Sequence, residues 1–137
     1  MAKIEGGCLC GAIRYHSDAE PVLTAVCHCT HCQKQTGTTF SIVVGVPGDA
    51  LTVEGTMKVF VDDADSGGKV RRNFCPDCGS PIYSDTDGFP GVLFLKAGTL
   101  DDTSWLKPTA QVWTRSKQPW IDLGPGMASS PDGSRPR

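Results

Sequence analysis

No stretch of the chain approaches the roughly 18 to 20 consecutive apolar residues of a membrane-spanning helix. Met1 to Glu5 runs directly into glycines and cysteines, without the apolar segment of a secretory leader. A basic excess is also missing: 13 Lys and Arg against 15 Asp and Glu leave a formal net charge of -2. Nothing in that balance calls for nucleic acid or an anionic membrane as a partner. Lys69, Arg71 and Arg72 form a small basic cluster only, which reads as a solvated strand edge. There are no internal repeats. A length of 137 residues fits one domain with a modest core, and the expectation is a cytoplasmic protein.

Cysteine is what the chain does have. Seven is an odd number for a disulfide framework, and the residues fall in tight C-x-C and C-x-x-C pairs. A bridge within C-x-C would be strained, because bonded cysteines need Cα separations of about 4.4 to 6.8 Å with matching Cβ directions. Metal ligation accounts for the pattern better.

The densest cluster is Cys27-His28-Cys29-Thr30-His31-Cys32, three thiols and two imidazoles in six residues. In an extended C-x-C the two sulfurs project to one side, and a turn closes C-x-x-C, so Cys27, Cys29 and Cys32 can converge on one ion. Three thiolates are one short of a closed tetrahedral zinc site, and a catalytic zinc keeps its fourth position for water or substrate. His28 or His31 could instead close the site as Cys3His, and a second structural zinc is the plainer alternative.

The rest of the chain reads as short strands between turns, which argues for a mainly β domain. Ala12–His16 and Val22–Val26 read as a hairpin that delivers the central motif. Thr30–Thr36 lacks Gly and Pro and is followed by Gly37, which predicts a helical turn or two. Further strands are expected at Thr39–Val46, Leu51–Glu54, Met57–Val61, Val70–Phe74, Ser80–Ser84, Val92–Ala97 and Ala110–Trp113. Asp62–Lys69 reads as a hairpin loop. Cys75-Pro76-Asp77-Cys78-Gly79 has the form of a metal knuckle, with a glycine able to take the positive φ that aims backbone N–H groups at sulfur. The domain is taken as 1–123. The tail 124–137 is rich in Gly, Pro and Ser and is expected to be disordered or loosely attached, and removable without cost.

The ligands divide in two ways. Cys29 and Cys32 with Cys75 and Cys78 would make a zinc ribbon but strand the other three cysteines. Cys8 and Cys10 with Cys75 and Cys78 make a closed four-thiolate site and leave Cys27, Cys29 and Cys32 as an open three-thiolate site, so no cysteine is wasted.

Three segments in order, Gly6–Tyr15, Cys27–Gly37 and Phe74–Tyr83, together with Pro119-Trp120, resemble the glutathione-dependent formaldehyde-activating enzyme family. The resemblance covers about residues 4 to 122. It implies a fold like the zinc-binding Mss4-like domains (β-tent): antiparallel sheets around a structural zinc, with short helical turns. Carried over by motif, Cys8, Cys10, Cys75 and Cys78 would hold the structural zinc and Cys27, Cys29 and Cys32 the catalytic one, two zinc sites per chain. The implied reaction is that of a carbon–sulfur lyase that joins glutathione, a small thiol, to the aldehyde formaldehyde.

That chemistry agrees with the ligand type. Zinc with three thiolates has a formal charge of about -1 and is a poor Lewis acid toward water, but it is suited to taking a fourth sulfur as thiolate. Gln33, Lys34 and Thr36 are the nearest candidates in sequence to contact substrate and relieve the excess charge. The competing reading is a non-catalytic, zinc-stapled β module that binds a protein or a small thiol. The oligomeric state is open at this level.

Overall fold

The computed structural model describes residues 4–133. It is mainly β, as expected, with one short α-helix and two sheets. The smaller sheet is antiparallel and consists of β1 (Ile4–Gly7), β2 (Arg14–Ser17) and β5 (Leu51–Glu54), in that order.

The larger sheet has eight strands. Its central part is β3 (Leu23–Cys27), β4 (Ser41–Pro47), β9 (Val92–Lys96), β8 (Pro81–Thr86), β7 (Lys69–Phe74) and β6 (Lys58–Asp63), all antiparallel neighbours in that order. Beyond β3, the far edge adds β10 (Ala110–Val112) and β11 (Ala128–Ser129), both paired in parallel.

The two sheets close on one apolar core. Ile4, Ile13 and Tyr15 from the small sheet side meet Val44, Val46, Ile82 and Leu95 from the large one, all 2% exposed or less. The period-2 alternation in Arg14–Ser17, exposed then buried, is what lets β2 bury Tyr15 while His16 faces water. Tyr15 needs a partner for its hydroxyl and finds Thr99 Oγ1 at 2.7 Å.

The single helix, α1 (Thr30–Thr36), has the expected limits. Cys29 caps its N-terminus, with Sγ accepting from the Cys32 N–H at 3.2 Å. Gly37 ends it at φ 73°, its N–H bonded to the Gln33 carbonyl, the left-handed terminus that glycine adopts without penalty.

Two expectations are corrected. Ala12–His16 and Val22–Val26 do not form a hairpin: β2 lies in the small sheet between β1 and β5, and β3 lies in the large sheet between β4 and β10. The two strands also differ in coverage: Ala25, Val26 and Cys27 are buried in succession, so β3 is covered on both faces, whereas β2 alternates exposed and buried.

The segment from Gly124 is also not loose. Ala128 and Ser129 pair with Ala110 and Gln111, Ser130 is 3% exposed, and the Trp113 N–H donates to the Asp132 carbonyl at 3.1 Å. Backbone pairing holds this stretch, which apolar content alone does not signal. The last part of the tail, 134–137, lies outside the described residues.

Candidate metal centres

The cysteines sort into two clusters, Cys8, Cys10, Cys75 and Cys78 in one and Cys27, Cys29 and Cys32 in the other, with the sulfurs of each within 4.8 Å of one another. This is the four-plus-three division. The ribbon alternative is excluded, and no disulfide joins any of the seven.

The four-cysteine cluster is built by two turns. Cys8 and Cys10 stand between β1 and β2, and Cys75 and Cys78 stand between β7 and β8, so an ion there ties the small sheet to the large one. Cys8 Sγ lies 3.6 Å from Cys10 Sγ, and Cys10 Sγ lies 3.7 Å from Cys75 Sγ. Four sulfurs about 2.3 Å from a tetrahedral zinc are about 3.8 Å apart, so the spacing fits that ion.

Donors surround these sulfurs. The Ile13 N–H reaches Cys8 Sγ at 3.2 Å, and the Ser80 hydroxyl lies 3.2 Å from Cys78 Sγ. Hydrogen bonds from Ser80, side chain and backbone, bring the Cys78 thiol down to about 5. Gly79 has the expected positive φ, 79°. Cys75 is fully buried and Cys8 is buried beside it, so one side of this cluster belongs to the core, while Cys10 is exposed.

The three-cysteine cluster sits where β3 hands over to α1. Cys27 ends the strand, Cys29 caps the helix and Cys32 lies in its first turn, each 9% exposed. Val112 and Trp113 pack against the sulfurs. Trp113 is the one described non-glycine residue with positive φ, at 57°, a conformation that costs energy and persists only where surroundings impose it.

Three thiols this close cannot all ionise unaided. Hydrogen bonding to Cys29 and Cys32 pushes the Cys27 thiol far up, whereas the same contacts from Cys27 and Cys29 hold Cys32 well below the usual thiol range. Cys32 is also helped by two buried cations, Lys96 and Arg72, each 5% exposed. Arg72 Nη1 is 3.9 Å from Cys32 Sγ, and its Nε donates to Asp62 Oδ2 at 3.1 Å. Lys96 donates to Ser41 Oγ at 3.0 Å, next to Cys27 across the β3–β4 pairing. Burial pushes the Lys96 ammonium down and the Cys32 thiolate draws it back up.

Sequence reasoning missed this pair. Arg72 is not a solvated strand edge, because β7 turns it inward while Arg71 faces out to Asp85 and Asp87. Lys96 follows Leu93-Phe94-Leu95, and a charge inside so apolar a strand was the available signal.

The other named residues fall differently. Neither histidine belongs to either cluster. His28 is fully buried, donates from Nε2 to Gln111 Oε1 at 3.0 Å, and burial lowers its pKa. His31 pairs with Asp62 Oδ2 at 2.8 Å and Asp65 Oδ1 at 3.3 Å. Gln33 spends its amide on the protein itself, donating to the His28 and Ser116 carbonyls and accepting from Gln118. Lys34 is exposed. Thr36 donates to the Cys32 carbonyl at 2.8 Å and stands on the wall of a cleft.

That cleft, about 440 Å³, opens between the end of α1 and the 97–99 turn, with Ser41 and Lys96 in its wall. The cysteines do not line it, but the two residues it shares with their surroundings make it the adjoining space for a small molecule. It is large enough for part of a peptide-sized ligand.

Among solved structures, a Rhodobacter sphaeroides protein of 19% identity superposes with a TM-score of 0.58 over 77% of this chain and 92% of its own, which shows a shared fold. A Phaeosphaeria nodorum protein provisionally named a glutathione-dependent formaldehyde-activating enzyme is 35% identical over 86 residues, covering 60% of this chain and 44% of the relative. A Colletotrichum graminicola protein with the same provisional name is 26% identical over 113 residues, covering 72% and 57%. The chain thus spans about half the length of the curated relatives it matches. The profile of the family described as "Glutathione-dependent formaldehyde-activating enzyme" matches residues 3–116, a span that includes all seven cysteines and both buried cations, and the chain belongs to that family.

Proposed function

We propose that the chain is a zinc-dependent carbon–sulfur lyase that joins a thiol, glutathione, to formaldehyde. The observation that carries this reading is the pairing of an incomplete ligand set, Cys27, Cys29 and Cys32, with two buried cations, Arg72 and Lys96. Cys27, Cys29 and Cys32 would hold a zinc ion, which would supply the Lewis acidity that lowers the pKa of an incoming thiol. The protein's own charges then matter: three thiolates and a divalent ion sum to about -1, Arg72 is shared with the Asp62 carboxylate, and the Lys96 ammonium brings the surroundings to about zero, which relieves the excess negative charge that would oppose one more anion.

The cleft beside Ser41 and Lys96 holds the body of the thiol. In the forward direction the sulfur's electron pair attacks the aldehyde carbon, the C=O π pair moves to oxygen, and the proton lost by the thiol ends on that oxygen as S-hydroxymethyl product. The reverse breaks the same carbon–sulfur bond. Cys8, Cys10, Cys75 and Cys78 would hold a second, structural zinc. A reducing, cytoplasmic location keeps all seven thiols available for metal.

The test is proton release. A free thiol has a pKa near 8.5, so ligation near neutrality must discharge about one proton per site. Adding glutathione to the zinc-loaded chain in weakly buffered solution should lower the pH, and S-methyl glutathione should not. Equal binding of both, or undiminished binding to a Cys27→Ser, Cys29→Ser double variant, would remove the sulfur from the metal and leave a binding module.

A further inference from the structure

Strand β6 ends the larger sheet. It pairs with β7 on one side, and no strand among the described residues covers its other edge. Three apolar residues in its middle are uncovered: Val59 is 46%, Phe60 59% and Val61 56% exposed. Successive strand residues point to opposite faces, so the strand is bare on both. Sheet edges are normally blunted by charge, proline or a bulge, and an apolar triplet on an open edge marks an interaction surface.

The sequence of the strand selects the occupant. Two copies of one strand, antiparallel and related by a two-fold axis normal to the sheet, keep each side chain on its own face. The numbers of facing residues must then sum to an even value. Centring the axis on Val61 would set Phe60 against Asp62, and centring it on Val59 would set Phe60 against Lys58, so both oppose an aromatic ring with a charge.

Centring it on Phe60 sets Lys58 opposite Asp62, Val59 opposite Val61 and Phe60 opposite its own copy. The segment Lys58-Val59-Phe60-Val61-Asp62 is therefore complementary to itself in both apolar character and charge. We propose that β6 is a dimer interface, through which two copies of this chain join edge to edge in the register centred on Phe60.

The interface would also reach the three-cysteine centre. Phe60 faces Arg72 across the β6–β7 pairing, so Lys58, Phe60 and Asp62 share the face on which Arg72 turns toward Cys32. Asp62 already accepts from Arg72 and His31, and Lys58 of the second copy would add a third cation to the same carboxylate.

Sedimentation equilibrium of the full, zinc-loaded chain under reducing conditions, from about 1 to 500 µM, spans the range expected of an interface this small. The mass should rise from one chain to two. Phe60→Lys brings two ammonium groups together on the axis, and Lys58→Glu places a carboxylate opposite Asp62. Each should raise the dimer Kd at least about tenfold, while for Lys58→Glu the thermal midpoint at about 1 µM, where the native chain is a monomer, stays unchanged. Lys58 is exposed, so the second variant keeps its fold even if the first does not. A native chain that stays monomeric throughout, or a dimer that persists unweakened in Lys58→Glu, overturns the proposal.

Discussion

Arg72 places its Nη1 3.9 Å from the sulfur of Cys32, forty residues earlier in the chain, while Nε of the same guanidinium donates to Asp62. One buried side chain thus links the three-cysteine centre to the sheet edge. Arg72→Met keeps the methylenes and removes the charge, so its main effect should fall on metal retention. Loss of such an outer contact typically costs about 10- to 100-fold in metal affinity. Zinc per chain after dialysis against a chelator should drop from about two to about one. Arg71→Met, on the outward face, should change nothing. Full zinc in the Arg72 variant would show that the guanidinium does not support the site.

Lys96 tests the binding half of the argument. Lys96→Met should leave the melting temperature the same or slightly higher, since the ammonium is buried and its burial is costly. Glutathione affinity should fall by about tenfold or more, about 1.4 kcal/mol. An unchanged glutathione Kd, read by calorimetry on zinc-loaded protein, would place the thiol away from this residue.

The two cysteine sets should differ in what they hold together. Cys10 and Cys75 are 65 residues apart and join the two sheets. Structural zinc contributes about 10 to 16 kcal/mol at neutral pH, comparable with or larger than a whole domain's stability of about 5 to 15 kcal/mol. Cys75→Ser should abolish cooperative thermal unfolding. Cys29→Ser opens only a short local loop and should keep it, within a few degrees of the parent. Equal loss in both variants would mean that the local site is structural too.

Removal of the chain from Gly124 onward should now be felt. It deletes β11, the buried Ser130 and the carbonyl that receives the Trp113 N–H. A cost of about 1 kcal/mol or more corresponds to roughly 3 to 6 °C in the melting temperature for this size. A shift smaller than about 1 °C would mean that the pairing with β10 contributes nothing measurable.

How much of this was legible in the sequence depends on the range of the interaction. Helix α1 could be read from Thr30 to Gly37 because its cap and its stop are local. The knuckle at Cys75 to Gly79 could be read for the same reason. The partnership of β3 with β10 could not, because short apolar strands carry no record of which neighbour they choose across 85 residues of chain, as from Ala25 to Ala110. Arg72 and Lys96 looked like ordinary strand charges because what buries them, Cys32 and Ser41, comes from other elements. The tail misled for a different reason: its attachment is backbone pairing, and composition measures side chains.

The separation of the ligands also sets a timetable for metal capture during synthesis. Cys27, Cys29 and Cys32 leave the ribosome together, so a three-sulfur claw exists while β6 to β11 are still unmade. The set of four cannot close until Cys78 has emerged. For that interval the nascent chain presents the site meant to stay open before the site meant to stay closed, and Cys8 and Cys10 wait as a free thiol pair. That early claw still lacks Arg72, Lys96, Val112 and Trp113 and gives up an ion readily, so growth under zinc limitation should yield folded chains with the sheet-joining site filled and the second ion missing, visible as about one zinc per chain rather than as a nonfolding fraction.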